Sequence, residues 1–494
     1  MMFSFRKKLH ATVRSPIDTV NSSGDIGTVR RSLPVLMSSQ GIRMVLFLGT
    51  NALLPFLMEP AAFGRVYQMQ VPMTLCTLFG DLGISAGLVR VKTLTHELAS
   101  LLFWMTIGIA LVSMTLMIVT IPVFEAWYRT EGLGLLGVSF GILIVVRAAG
   151  STYRTMLRRQ LRIKAISTFE LVSGVFTNIS TLAFAFMGLG AISIPVGMAV
   201  GGIAELLGLV VLSGWIPGRI APLREARSVV RFGFGLSLSG LILYGGNAIS
   251  QAVMGRYFED ASLGLIERAN ALVGGFMTRF RSVLQGIVYP ILARRFSDIG
   301  SVEDLASPLL AAAWRVWLPI VGLALVVTGP IFNAVYGGAY EGIGILAVWG
   351  VVSFLLFLPW LVLMQSIIAH GRTRYMIWLM VLQAVLQLIS TGIAVWQGSI
   401  VVFVALTAIT QVVIAVFNVA FAPRVIGWND RTAARSALSG ILYSIPAIAT
   451  FSVLRWFGLG LLLEVGFASV VLGAMLIVYL SSRRGREIRR LVTS

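Results

Sequence analysis

Four arginines interrupt long apolar runs of this chain: Arg43, Arg279, Arg281 and Arg315. A guanidinium keeps its charge in nearly any surrounding, and its flat fork of N–H donors fits a phosphate or carboxylate bidentately. Set among apolar residues it is costly. It marks either a functional site, or a side chain that snorkels to an interface or meets a carboxylate partner. The functional chemistry would be a cationic cavity for an anionic headgroup such as a phosphate. Arg279 and Arg281 are two residues apart, so on a straight helix they point about 200° apart and cannot both face one cavity. Three carboxylates share such surroundings. Glu205 lies near the middle of an apolar run, where burial works against its charge and suits it to proton exchange. Asp81, within Phe79-Gly80-Asp81-Leu82-Gly83, fits either ion coupling or a structural cap or pair. Glu170, near the end of its run, fits either coupling or an interfacial role.

Other chemistry is missing from the pattern. The single cysteine, Cys76, allows neither an intrachain disulfide nor a thiolate metal site. His10, His96 and His370 show no ligand spacing. There is no glycine-rich phosphate loop with a following lysine, and no paired His/carboxylate metal motif. No metal or other cofactor is implied. The residues point to transport rather than catalysis, driven by an ion gradient, a membrane potential or a partner.

The elements that must position these groups are membrane helices. Hydrophobic residues make up 57% of the chain and charged residues 12%, with a mean hydropathy of +0.89. Soluble domains carry about 25% charged residues. Charge-poor runs near the roughly 20 residues of a bilayer crossing recur, about fourteen of them. Only helices satisfy their own backbone in lipid without closing a barrel. The net charge of +19 lies in the short connections, where it reads as topogenic charge rather than a nucleic-acid surface. With the N-terminus inside, roughly thirty Lys and Arg fall on inner segments. About five fall outside: Arg65, Arg129, Arg256, Arg268 and Arg455. Trp127, Tyr128 and Trp456 near outer ends, and Trp215 and Trp428 near inner ends, fit aromatic belts. Residues 1–31 are polar and basic, with no apolar signal-peptide core, and read as a cytoplasmic tail. The longest inner connections lie around Arg154 to Lys164 and Trp215 to Arg231. The sixth span carries a small-residue face, Gly197, Gly201, Gly202 and Gly208, suited to close helix packing. Pro55, Pro72, Pro195, Pro319 and Pro359 fit either ordinary kinks or bends used in gating.

An internal repeat is legible. Glu59, Ala61 and Gly64 match Glu259, Ala261 and Gly264 at a constant offset, and Arg31 matches Arg231 ahead of the first and seventh spans. The offset covers an even number of spans, so the halves share one orientation, a parallel repeat. The expected organisation is an all-α membrane protein: residues 32–218 as an N-lobe and 219–425 as a C-lobe, each of six helices. Residues 426–494 add two further helices and a basic cytoplasmic tail.

Several stretches carry a family resemblance. They are Ala62-Phe63-Gly64, Phe79-Gly80-Asp81-Leu82-Gly83-Ile84, and Gly255-Arg256-Tyr257-Phe258 with Leu263-Gly264 and Glu267-Arg268-Ala269. Further on come Tyr289-Pro290-Ile291-Leu292-Ala293-Arg294, and Pro359 with His370-Gly371-Arg372-Thr373. In order and spacing, over about residues 30–425, the chain resembles the bacterial polysaccharide transporter family. These are the Wzx-type flippases of the MATE and oligosaccharidyl-lipid flippase (MOP) superfamily. Twelve spans are common there, and fourteen occur in related lipid-precursor flippases. The resemblance implies two six-helix lobes around a central cavity, alternating access, and an oligosaccharide on polyprenyl diphosphate as substrate. It further implies the bacterial inner membrane, with both termini cytoplasmic, and polysaccharide polymerase and export machinery as partners. Two other readings stay open: an ion-coupled multidrug or metabolite antiporter of the same superfamily, and a membrane glycosyltransferase, polymerase or ligase. The first favours acidic over basic cavity residues, and the second usually needs a sizeable outer loop.

Overall fold

A computed structural model of the chain describes residues 25–80, 94–160, 162–278, 303–369, 373–426 and 449. Among them the secondary structure is helical, with no strand. By packing the chain divides into two compact units, Met1–Gly264 and Leu265–Ser494.

The first unit contains α1 (Asp25–Leu53), α2 (Pro60–Gly80), α3 (His96–Tyr128), α4 (Gly134–Arg159), α5 (Ile163–Phe186), α6 (Ser193–Ser213) and α7 (Leu223–Tyr257). Helix α3 shows why lipid is the solvent. Ala110, Ser113, Met117 and Ile121 form its buried stripe, while Val112, Leu116, Val119 and Val123 form an apolar stripe that is more than half exposed. A helix apolar on both faces suits a bilayer. Its start is fixed by Thr95, whose hydroxyl accepts from the Leu98 N–H at 3.2 Å. Eight described segments are long and apolar enough to cross a membrane.

Within this unit α5 packs along α6, α4 on α3 and α6, and α1 on α5. Helix α7 packs on α2 and α3, so the packing division falls at Gly264 and differs from the repeat-based boundary at 218/219. The α5–α6 contact uses the small-residue face. Gly197 meets Thr181, Gly201 meets Ser173 and Thr177, and Gly208 meets the Phe169 ring, a four-residue rhythm on α5 met by glycines four and seven residues apart on α6.

Helix α8 (Asp260–Ala269) begins two residues after α7 ends and runs on through a π turn, Asn270–Gly274. Pro60 and Asp260, at equivalent positions of the repeat, are the first residues of α2 and α8. The two helices cross backbone to backbone. A β-carbon on Gly64 would fall on the Asp260 carbonyl, 2.6 Å from its carbon, and one on Gly264 would fall on the Pro60 carbonyl, also 2.6 Å from its carbon. The Asp260 carboxylate, favourably placed at a helix N-terminus, accepts from Gln68 Nε2 at 2.8 Å and Thr130 Oγ1 at 3.3 Å. Nearby, Arg256 donates to the Trp127 carbonyl at 2.6 Å and lies over its ring.

The second unit contains α9 (Glu303–Tyr336), α10 (Ile343–Val352), α11 (Phe357–Ala369), α12 (Thr373–Gln397) and α13 (Ile400–Ile426). The two further helices expected in residues 426–494 lie, apart from residues 426 and 449, outside the described residues.

Four details correct the sequence reading. Helix α4 runs on to Arg159, so Arg154 is helical and not part of a connection. The eighth span was expected to start at 269, but its helix starts at Asp260. Its Arg268 is 2% exposed and therefore no outer-loop residue. Trp215 is 7% exposed, enclosed by His96, Phe103 and Tyr153 instead of facing an interface. The tenth span, expected as one helix, is two helices separated by a turn.

Candidate functional site

The first unit brings two of the sequence-derived candidates together. Arg43 Nη1 donates to Glu170 Oε2 at 2.7 Å, from α1 to α5. Gly174 lies one turn beyond Glu170, and a β-carbon there would already touch the Arg43 stem at 3.4 Å. The arginine thus lies across α5 and reaches back to the carboxylate. The pairing is monodentate, and 32% of the Arg43 side chain and 22% of that of Glu170 stay exposed. Of the two alternatives for Arg43, a carboxylate partner is present, and the remaining guanidinium donors can still meet a ligand.

Glu205 faces the other way on α6. Arg154 of α4 donates to its Oε1 through Nε at 3.1 Å and also through Nη2. Arg147 stands seven residues before Arg154, two turns back on the same face of α4, within electrostatic range of both Arg154 and Glu205. Glu205 is therefore matched by guanidinium, and this group carries one surplus positive charge. Arg147 and Arg154 were assigned to inner-side topogenic charge. Their seven-residue spacing was the available signal that they share a helix face.

Arg315 lies in α9, partly buried, in the second unit. There Arg268 is buried beside Glu267 at 3.6 Å, with Tyr336 and Tyr340 in electrostatic range. Asp81, Arg279 and Arg281 lie outside the described residues. No group of three His, Cys, Asp or Glu side chains that could hold a metal ion occurs among the described residues. The arrangement sets guanidinium groups, which can hold an anion, beside carboxylates.

Comparison with known proteins adds the lineage. A family model described as "Polysaccharide biosynthesis protein" matches residues 53–344. The teichuronic acid biosynthesis protein TuaB of Bacillus subtilis (strain 168) is 23% identical over 282 residues, 56% of this chain and 58% of that protein. The succinoglycan biosynthesis transport protein ExoT of Rhizobium meliloti (strain 1021) is 21% identical over 403 residues, 74% of this chain and 79% of that protein. The match thus spans little more than half of the Bacillus relative. Among solved structures, lipid II flippase MurJ in an inward closed conformation matches with a TM-score of 0.70 at 12% identity, covering 90% of this chain and 98% of that one. That likeness speaks for the fold. With repeated membrane-spanning helices, this fold and a family model covering more than half its length, the chain belongs to the polysaccharide biosynthesis protein family and is a multi-pass membrane protein.

Proposed function

We propose that this protein is a flippase. It moves polyprenyl-diphosphate-linked oligosaccharide repeat units across the bacterial inner membrane, by alternating access, for surface polysaccharide biosynthesis. The observation that carries the reading is Arg43: a guanidinium on α1, engaged through one nitrogen and one third exposed, in a chain of this family. In this mechanism the diphosphate takes Arg43 from Glu170, and the released carboxylate gains a proton. Substrate binding and ion coupling then share one pair. Arg315 and one of Arg279 and Arg281 are further phosphate contacts, and Glu205 and Asp81 further coupling groups. The lipid tail stays in the bilayer while the glycan crosses, both termini are cytoplasmic, and the product passes to polymerase and export machinery.

The proposal includes the parallel repeat, with lobes at 32–218 and 219–425, about fourteen spans in all, and two added helices in 426–494. Supporting it, α2 and α8 start at equivalent residues, and the two glycines meet each other's partner position.

The test is transbilayer movement of a short-chain fluorescent diphosphate-linked oligosaccharide in proteoliposomes. Movement is expected with the wild type and a loss of about tenfold or more with Arg43→Ala, since a charge-assisted contact contributes on the order of 1.5–3 kcal/mol. Movement indifferent to Arg43→Ala and Arg279→Ala would remove this site while keeping the flippase. Folded protein that moves no lipid-linked glycan under any ion gradient would overturn the flippase reading in favour of the antiporter.

A further inference from the structure

The apolar stretch Ile343–Ala369 is interrupted in its middle. Residues 353–356 are turns, in which the Phe354 and Leu355 N–H groups bond three residues back, to Val351 and Val352, at 3.0 Å each. The Phe354 carbonyl accepts from Phe357 N–H at 3.0 Å and from Trp317 Nε1 at 2.9 Å. Irregular backbone at membrane depth persists where it is enclosed by protein or lines a cavity. Here it borders a cavity of about 360 Å³ inside the second unit. That is near the lower end of the roughly 300–1,000 Å³ of small-molecule sites.

The lining has two characters. Phe354, Phe357 and Trp360 make an aromatic wall, with the Phe357 and Trp360 rings 31° from parallel and their centroids 6.2 Å apart. Opposite stand uncharged hydrogen-bonding groups, Gln383 of α12 and Thr407 and Gln411 of α13. Part of this polar stripe is internally satisfied, through Gln387 to Thr407 at 3.0 Å and Ser390 with Thr410 at 3.2 Å. Gln383 and Gln411 make no side-chain hydrogen bond among the described residues. Asn418, two turns beyond Gln411 on the same face, is fully buried with neither amide atom partnered. Of these three amides only Asn418 is buried, where lacking a partner is costly; Gln383 and Gln411 are part-buried at the cavity. No ionisable residue is among the described lining.

That chemistry selects its ligand. An acyl chain leaves the amides unmatched, a diphosphate needs guanidinium or ammonium, and a cationic drug is better held by a carboxylate. A neutral pyranose offers a C–H-rich face to an aromatic ring and a rim of hydroxyls that donate and accept, as amides do. We infer that this cavity is a subsite for a neutral sugar ring of the transported glycan, an assignment that rests on the flippase reading above.

Full-length protein in lipid nanodiscs can be probed by saturation-transfer NMR. The probes are the methyl glycosides of glucose, galactose, mannose, rhamnose and N-acetylglucosamine, with inorganic diphosphate as the non-sugar control. At least one glycoside should receive saturation at its ring C–H protons. Its binding should weaken roughly tenfold in Trp360→Ala and in Gln411→Ala, the scale of one lost contact. Melting temperature and diphosphate binding should hold. The mild Gln411→Ala keeps the test valid if Trp360→Ala folds poorly. No transfer to any glycoside from folded wild type, or transfer that survives both substitutions, overturns the subsite. Glycoside binding lost in both variants, in a protein that moves no lipid-linked glycan, upholds the subsite and removes the flippase reading. Lipid-linked movement without glycoside binding does the reverse.

Discussion

Gly64→Ala and Gly264→Ala are each expected to lower stability by about 3 kcal/mol, the upper part of the range for overpacking. The added methyl group meets a backbone carbonyl on the crossing helix, Asp260 for Gly64 and Pro60 for Gly264, and backbone has no rotamer to escape into. Helices α2 and α8 must then separate, stretching the Gln68–Asp260 bond. Since either methyl forces the same separation, the double variant should cost clearly less than the sum. Gly49→Ala, with nothing within 4 Å of the new carbon, is the control and should be neutral or slightly stabilising. Thermal unfolding in detergent, read by fluorescence-detected size exclusion, measures all four proteins. Wild-type melting of Gly64→Ala would mean the helices do not approach so closely.

The second large effect should come from Glu205. Its removal leaves Arg147 and Arg154 on one face of α4 without the carboxylate that faces them. Breaking a buried pair by deleting one partner costs on the order of 3–5 kcal/mol. The lower end applies to Glu205→Ala, because the Arg154 side chain keeps 28% exposure. Arg154→Ala should cost less, since Arg147 still faces the carboxylate. Arg154→Met with Glu205→Met should come close to the wild type, because no charge is then stranded. This order can be read as a double-mutant cycle in the same unfolding assay. Equal losses for the two single variants would show that Arg147 contributes nothing. If Glu205 also couples transport to protons, the paired methionine variant should fold normally and fail to move substrate against a gradient.

Much of the architecture was legible because hydropathy and charge act locally. Among the described residues the apolar runs are helices, and Gly197, Gly201 and Gly208 of the sixth span meet α5 as small residues allow, while Gly202 meets Val146 of α4. The offset linking Gly64 to Gly264 marked two helix starts. What escaped the reading was set by distant partners. Nothing near Arg43 in the chain announces Glu170, 127 residues away. Arg268 appeared to be an outer charge because its burial depends on tertiary neighbours. Arg154 looked like loop because hydropathy ends a helix at its first charges, whereas Glu205 on α6 lets α4 continue. The interruption at residues 353–356 was hidden inside a uniformly apolar stretch, between Gly350 and Pro359. Asp81, Arg279 and Arg281 fall outside the described residues.

That interruption also limits how its segment can roll. A continuous apolar helix can spin about its axis in lipid at little cost, because every face is equivalent to hydrocarbon. A segment with loosened backbone groups at mid-depth has one face that must never meet lipid, where each unsatisfied group would cost several kcal/mol. The Trp317 indole donating to the Phe354 carbonyl fixes which face that is. Any rearrangement of the second unit must therefore carry α10 and α11 as translating or tilting bodies in fixed azimuth with α9. Spin labels on α11 should report shifts in position with almost no axial rotation.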